Sequence, residues 1–189
     1  MTSTTTPNIT LAEFLKLPET KPASEYINGE IVQKPMPKGR HSRLQSKLCA
    51  AINDITEEQK IAYAFPELRC SFGDRSIVPD IAVFQWQRIP FNANGEVPDN
   101  FELPPDWVIE ILSQNQQPNK VIGNILHCLQ HGCRLGWLID ADDRSILVFL
   151  PGQQPELRQD SDRLAVLAEI PLELTTVQVF DWLKMAKSL

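Results

Sequence analysis

The chain contains no apolar run near the roughly 18 residues that would cross a membrane. Its start, Met1 to Thr6, lacks the basic head and apolar stretch of a secretory leader, so the expected location is the cytoplasm. The four cysteines, Cys49, Cys70, Cys128 and Cys133, include no CxxC pair, which argues for thiols in a reducing compartment rather than a disulfide framework. Positive charge is also in short supply: 18 Lys and Arg against 24 Asp and Glu leave a net charge of −6. That balance argues against a general nucleic-acid coating protein. Neither a Gly-rich phosphate loop nor a nucleophilic triad can be found, and no repeat or linker interrupts the chain. What is present is a globular composition, 42% hydrophobic and 22% charged, in 189 residues. That length fits one domain over residues 1–189, with 1–9 expected to be frayed.

Local patterns give an α/β order. Thr10 is placed to cap a short helix over Leu11–Leu17, with Glu13 completing a capping box and Pro18 stopping it. Glu25 to Val32 reads as a hairpin turning at Asn28-Gly29. Leu44, Leu48, Ala51, Ile52 and Ile55 recur at helical spacing between His41 and about Glu58. Ile61 to Phe72 reads as one or two strands. The stretch from Trp86 to Pro105, dense in Pro, Asn and Gly, reads as a long loop that should flank a site. A second helix opens at Pro118 or Asn119 and ends at Gly132. A hairpin follows over Leu135–Ile139 and Ser145–Leu150, then a strand over Arg163–Ala168 and an amphipathic helix over Thr175–Ala186. Together these imply a mixed central sheet with helices.

Two apolar runs carry the chemistry. Ile77 to Phe84 and Trp107 to Leu112 are short, β-branched and bounded by turn-formers, as in strands buried on both faces. Each holds one carboxylate, Asp80 or Glu110. A buried charge costs several kcal/mol unless paired, so two of them point to a shared cation or to pairing with an arginine. A divalent ion bound by oxygens would meet that cost and act as a Lewis acid. The two carboxylates should then converge on one cavity, roughly 4–6 Å apart.

The ordered set of Glu25-Tyr26-Ile27-Asn28-Gly29-Glu30-Ile31-Val32, His41, Val78 to Val83, Val108 to Ser113 and Gly132 to Asp140 resembles the Uma-type family of restriction-endonuclease-like proteins, abundant in cyanobacteria and part of the PD-(D/E)XK nuclease superfamily. The resemblance covers nearly the whole chain. It implies a restriction-endonuclease-like fold, with a mixed central sheet flanked by helices. It also implies Mg²⁺ or Mn²⁺ as cofactor and a phosphodiester substrate, DNA in the first place. Asp80 matches the family's Pro-Asp aspartate and Glu110 its glutamate; both would be catalytic and hold the metal. The third position of the D/E-x-K pattern is Leu112, and the position to which the family displaces its lysine is Asn124. Lys120, four residues earlier on the same helix face, is the expected substitute for activating water. Glu30 and Asn124 are second-rank site residues. The family's helical tyrosine position is Cys128 here.

The segment from Lys34 to Lys47 carries Lys34, Lys38, Arg40, Arg43 and Lys47 with no acid between them. With His41 it is the candidate nucleic-acid-binding face. His127, Cys128, His131 and Cys133 lie close in sequence, but Cys128 points away from the two histidines and Cys133 lies past the helix end, so a tetrahedral zinc site is not expected. The expected protein is therefore a cytoplasmic Mg²⁺-dependent endonuclease. It has no membrane partner, and a homodimer is a possible assembly. The alternatives are a DNA-binding or regulatory module that kept the fold and lost the lysine, and a metal-free interaction domain.

Overall fold

A computed structural model describes residues 9–114 and 116–186. The chain begins with helix α1 (Leu11–Phe14), closed by the Thr10–Glu13 capping box expected from the sequence. Strands β1 (Ser24–Ile27) and β2 (Glu30–Gln33) form the hairpin. Asn28 and Gly29 both have positive φ there, the geometry for which an Asn-Gly turn is suited. Helix α2 (Gly39–Thr56) buries Leu44, Leu48 and Ile52. Strands β3 (Ala62–Pro66), β4 (Cys70–Phe72), β5 (Arg75–Ile77) and β6 (Ile81–Gln85) follow, then β7 (Trp107–Ile111). Helix α3 (Pro118–Gln130) leads into β8 (Leu135–Asp140), β9 (Ser145–Phe149), β10 (Glu156–Arg158) and helix α4 (Thr176–Asp181).

The central sheet has six strands in the order β10-β9-β8-β7-β6-β3. It is mixed: β7 and β8 run parallel and the other neighbours antiparallel. Strand alternation divides its side chains between two cores. Ile81, Val83, Trp107, Ile109 and Ile111 pack with Leu44, Leu48 and Ile52 of α2 and with Val179 and Phe180 of α4. Ala82, Phe84 and Val108 pack on the other face with Val121, Ile125 and Cys128 of α3. A second sheet, β2-β1-β5-β4, carries the hairpin.

Three expectations change in the fold. The run from Ile77 to Phe84 is not one strand: β5 belongs to the four-stranded sheet and β6 to the six-stranded one, and Val78-Pro79-Asp80 crosses between them. Pro79 has no N–H for a ladder, which suits it to that crossing. The segment 163–168 forms only an isolated bridge from Arg163 to Thr175. Leu164 and Leu167 instead join the α2 core, and Trp137 Nε1 donates to the Ala165 carbonyl at 3.0 Å. The last helix stops at Asp181, where the Trp182 carbonyl accepts from Arg43 Nε at 3.1 Å. The expected frayed start lies outside the described residues except for Ile9, whose carbonyl accepts from the Tyr26 hydroxyl at 2.8 Å.

Helix α3 lies close on the sheet because β8 carries Gly136. A Cβ there would stand 2.4 Å from Ile125 Cγ2 and 3.6 Å from Val108 Cγ1. Ile125 is fully buried and has little room to move. Gly136→Ala should therefore destabilise the fold by about 1–3 kcal/mol through overpacking. Urea unfolding of the two proteins measures it, and an unchanged midpoint would show that α3 floats freely over the sheet.

Candidate active site

The register of β6 and β7 pairs Ile81 with Ile109. One step further along this antiparallel pair brings Asp80 beside Glu110. The contact is direct: the Ile111 N–H donates to Asp80 Oδ2 at 2.7 Å. Both carboxylates are buried, at 3% exposure each. They meet on one lysine, as Lys34 Nζ lies 2.7 Å from Asp80 Oδ1 and 3.5 Å from Glu110 Oε2. The same ammonium donates to the Val78 carbonyl at 2.7 Å.

Lys34 reaches this position through strand alternation. Glu30, Val32 and Lys34 are spaced by two residues and line the same cavity as Glu25 and Ile27 of the paired strand. Glu25 is itself buried. Its Oε1 accepts from the Val78 N–H at 2.8 Å and its Oε2 from Asn124 Nδ2 at 3.1 Å. Glu25 thus ties helix α3 and the hairpin to Val78, the residue two before Asp80. Helix α2 reaches the site from the other face of the sheet: Gln45 Nε2 donates to the Asp80 carbonyl at 2.7 Å, and His41 Nε2 lies 3.1 Å from Asp80 Oδ2.

The charges in this cluster are unequal. Burial opposes the charge on Lys34, but Glu110, Asp80 and Glu25 together outweigh it and hold the ammonium above the ordinary lysine range. Burial would also raise Asp80, yet Lys34 and His41 overcome it and keep that carboxyl well below the usual aspartate value. Glu110 goes the other way. Burial pushes it well above the ordinary glutamate value; Lys34 opposes this, while Asp80 and Glu25 add to it. Burial also raises Glu25. Among the described residues, four buried polar side-chain atoms around the site lack a partner: Glu110 Oε1, Asn124 Oδ1, His41 Nδ1 and Arg75 Nε.

Two cavities open onto the cluster. One of about 660 Å³ is lined by Glu25, Glu110 and Asn124, with Glu30, Arg75 and Lys120 around it. The other, about 410 Å³, reaches His41 and Asp80. Lys34 lines both and stands between them.

The residues expected from sequence fall into separate groups. Asp80 and Glu110 meet on Lys34 but not in one cavity as expected: Glu110 lines the larger cavity with Asn124, Asp80 the smaller, and Lys34 fills the space between them. Glu30 and Lys120 are exposed on the rim of the larger cavity. The ammonium beside the two acids is that of Lys34, not Lys120. The basic segment does not form one face. Lys34 and His41 turn inward, Lys38 meets Gln114, Arg40 pairs with Asp142, and Arg43 is held by Trp182; Lys47 is half-buried. The loop from Trp86 to Pro105 lines neither cavity, and its Ile89 and Phe101 are buried in the α3-side core. His127 stacks on Phe72 at 4.9 Å between ring centroids, while Cys128 and Cys133 lie in the core. Sequence reading passed over Glu25 and Arg75. Alternation along the hairpin was the available signal for Glu25, which faces Val32 in the ladder.

Comparison with known proteins identifies a family and a solved relative. A family model described as Uma2, putative restriction endonuclease, matches residues 11–181. A crystal structure of a putative nuclease belonging to DUF820 from Anabaena variabilis is 52% identical, with a TM-score of 0.91, over 93% of this chain and 99% of that one. No curated protein matches the chain.

Proposed function

Because the chain belongs to the Uma2 putative restriction endonuclease family, we propose that it hydrolyses phosphodiester bonds in nucleic acid, DNA in the first place, at the Asp80–Glu110 pair. The observation that carries this reading is Glu110 Oε1, a buried carboxylate oxygen with no hydrogen-bond partner beside a second buried carboxylate. Such an oxygen is costly unless a cation or donor meets it.

The donors present suit a hard divalent ion. Among the described residues, no group of three or more His, Cys, Asp or Glu could hold one. A pair of carboxylates with waters completing the shell is how Mg²⁺ is commonly bound. Asp80 and Glu110 would hold Mg²⁺ or Mn²⁺, which when bound supplies a Lewis acid for the phosphate and the attacking water. The protein's share is preorganisation. The Ile111 N–H and Gln45 fix Asp80 at its carboxylate and at its backbone, and Val78 and Asn124 fix Glu25. Arg75 and Lys120 on the cavity lining offer positive charge to flanking phosphates. In the net reaction a water oxygen bonds to phosphorus, the P–O ester bond breaks, and the leaving oxygen gains a proton as water loses one.

The test is cleavage of plasmid DNA, single-stranded DNA and RNA with Mg²⁺, with Mn²⁺ and with chelator. Cleavage that chelator abolishes is expected. Lys120→Ala should lower it about tenfold, the loss of one charge-assisted contact, while stability stays within about half a kcal/mol because the side chain is exposed. Binding of DNA without cleavage under every metal condition would replace this reading with that of a non-catalytic DNA-binding module.

A further inference from the structure

We propose that Lys34, delivered from the end of the hairpin, is the catalytic ammonium of this centre and shares the two acids with the bound cation. This rests on the nuclease reading above. Three observations carry it. First, the ammonium is already at the acids: it contacts Asp80 Oδ1, Glu110 Oε2 and the Val78 carbonyl at 2.7, 3.5 and 2.7 Å. Second, the side chain keeps 15% exposure and lines both cavities, so a phosphate entering from either one meets it. A lysine serving only to neutralise buried acids would not need to face open space. Third, helix α3 brings an amide, Asn124, to the larger cavity that Lys34 also lines. Asn124 spends its Nδ2 on Glu25 and so fixes a carboxylate that also faces Lys34.

The chemistry follows from charge. When water oxygen bonds to phosphorus and the P–O ester bond breaks, negative charge builds on the non-bridging oxygens. A fixed ammonium beside them lowers that barrier without giving up its proton. Lys34 remains charged throughout; the proton lost by water goes to solvent, and the leaving oxygen takes its proton from solvent.

The same placement sets a relation to the metal. A positive charge on Asp80 and Glu110 repels a second one brought to those oxygens. Removing it should tighten divalent binding even where no nucleic acid is present.

The experiment compares wild type, Lys34→Met, Lys34→Arg and the double variant Lys34→Met/Asn124→Lys. Free Mn²⁺ is titrated by electron paramagnetic resonance without nucleic acid, and plasmid cleavage is followed with Mn²⁺. Lys34→Met is expected to bind Mn²⁺ at least about tenfold more tightly and to cleave about 10²–10³-fold more slowly. The double variant returns an ammonium to the same cavity from helix α3. It should bring Mn²⁺ affinity back toward wild type and recover part of the cleavage. Lys34→Arg keeps the charge but not the compact ammonium, so it should bind Mn²⁺ as wild type does and cleave more slowly. It decides the matter should Lys34→Met fail to fold. Unchanged Mn²⁺ affinity in Lys34→Met, or cleavage by either single variant at the wild-type rate, overturns the assignment. If wild type cuts nothing, the nuclease reading fails by itself and the catalytic role of Lys34 falls with it.

Discussion

Asp80→Ala should abolish cleavage and cost about 3–5 kcal/mol of stability, the range found when one partner of a buried ion pair is removed. Asp80 accepts from Lys34 and from the Ile111 N–H, both at 2.7 Å, and faces His41 Nε2 at 3.1 Å. Without its carboxylate, Lys34 keeps only the 3.5 Å contact to Glu110 as an ion pair, and the buried Ile111 N–H loses its acceptor. The pH dependence has a definite sign. The folded-state pKa of Asp80 is depressed, so its contribution is present above the ordinary aspartate value of about 4 and is lost as pH falls through the folded value. The stability gap between wild type and variant should therefore be widest near neutral pH and shrink in acid. Urea unfolding at pH 7 and in acid measures it. Asp80→Asn, which keeps an acceptor oxygen, should lie between the two in stability and still not cut. Identical unfolding of Asp80→Ala and wild type at pH 7 would mean that Lys34 is already satisfied without it.

Glu110→Gln should also abolish cleavage, by about 10³-fold for a lost metal ligand, but with the opposite effect on stability. Its carboxyl is raised well above the ordinary glutamate value, chiefly by burial. A raised acid binds more protons in the folded state than in the unfolded one, so its contribution to stability falls as pH rises through that interval. The neutral amide escapes this penalty. In chelator, Glu110→Gln should match wild type at acid pH. From the ordinary glutamate range upward it should pull ahead, by at most about 1.4 kcal/mol per pH unit for one proton. Glu25 is raised by burial as well and faces the same lysine, so the two glutamates titrate as a unit. The informative quantity is thus the difference in slope between the two proteins. Thermal melts from acid to alkaline pH supply it. Parallel curves would show that Glu110 is ionised at ordinary glutamate cost and needs no cation.

Much of the framework was legible because it is written in short-range pattern. The Asn28-Gly29 turn, the Thr10–Glu13 cap and the Leu44–Leu48–Ile52 stripe of α2 each need only residues within a turn or two of one another. So did the buried character of the segments around Asp80 and Glu110, which follows from β-branched runs between turn-formers. The loop from Trp86 to Pro105 misled for the same reason. Its composition signals irregular backbone, but not that Phe101 would bridge to Cys70 and bury its ring against Phe84.

The sequence by itself determined most of the elements and the two acids that need a partner. Only the tertiary structure decided which charge meets them. Lys34 touches Asp80 across 46 residues of chain, Glu25 reaches Val78 across 53, and Asn124 reaches Glu25 across 99. Local sequence carries no record of such distances. In sequence, Lys34 looks like one of five solvated bases and Lys120 like the nearest substitute for a missing lysine. In the fold, the chain crosses from one sheet to the other at Val78-Pro79-Asp80. The crossing brings Val78 and Asp80 against the end of the hairpin, and the low dielectric between the sheets makes an ammonium at that point the favoured partner for two buried carboxylates.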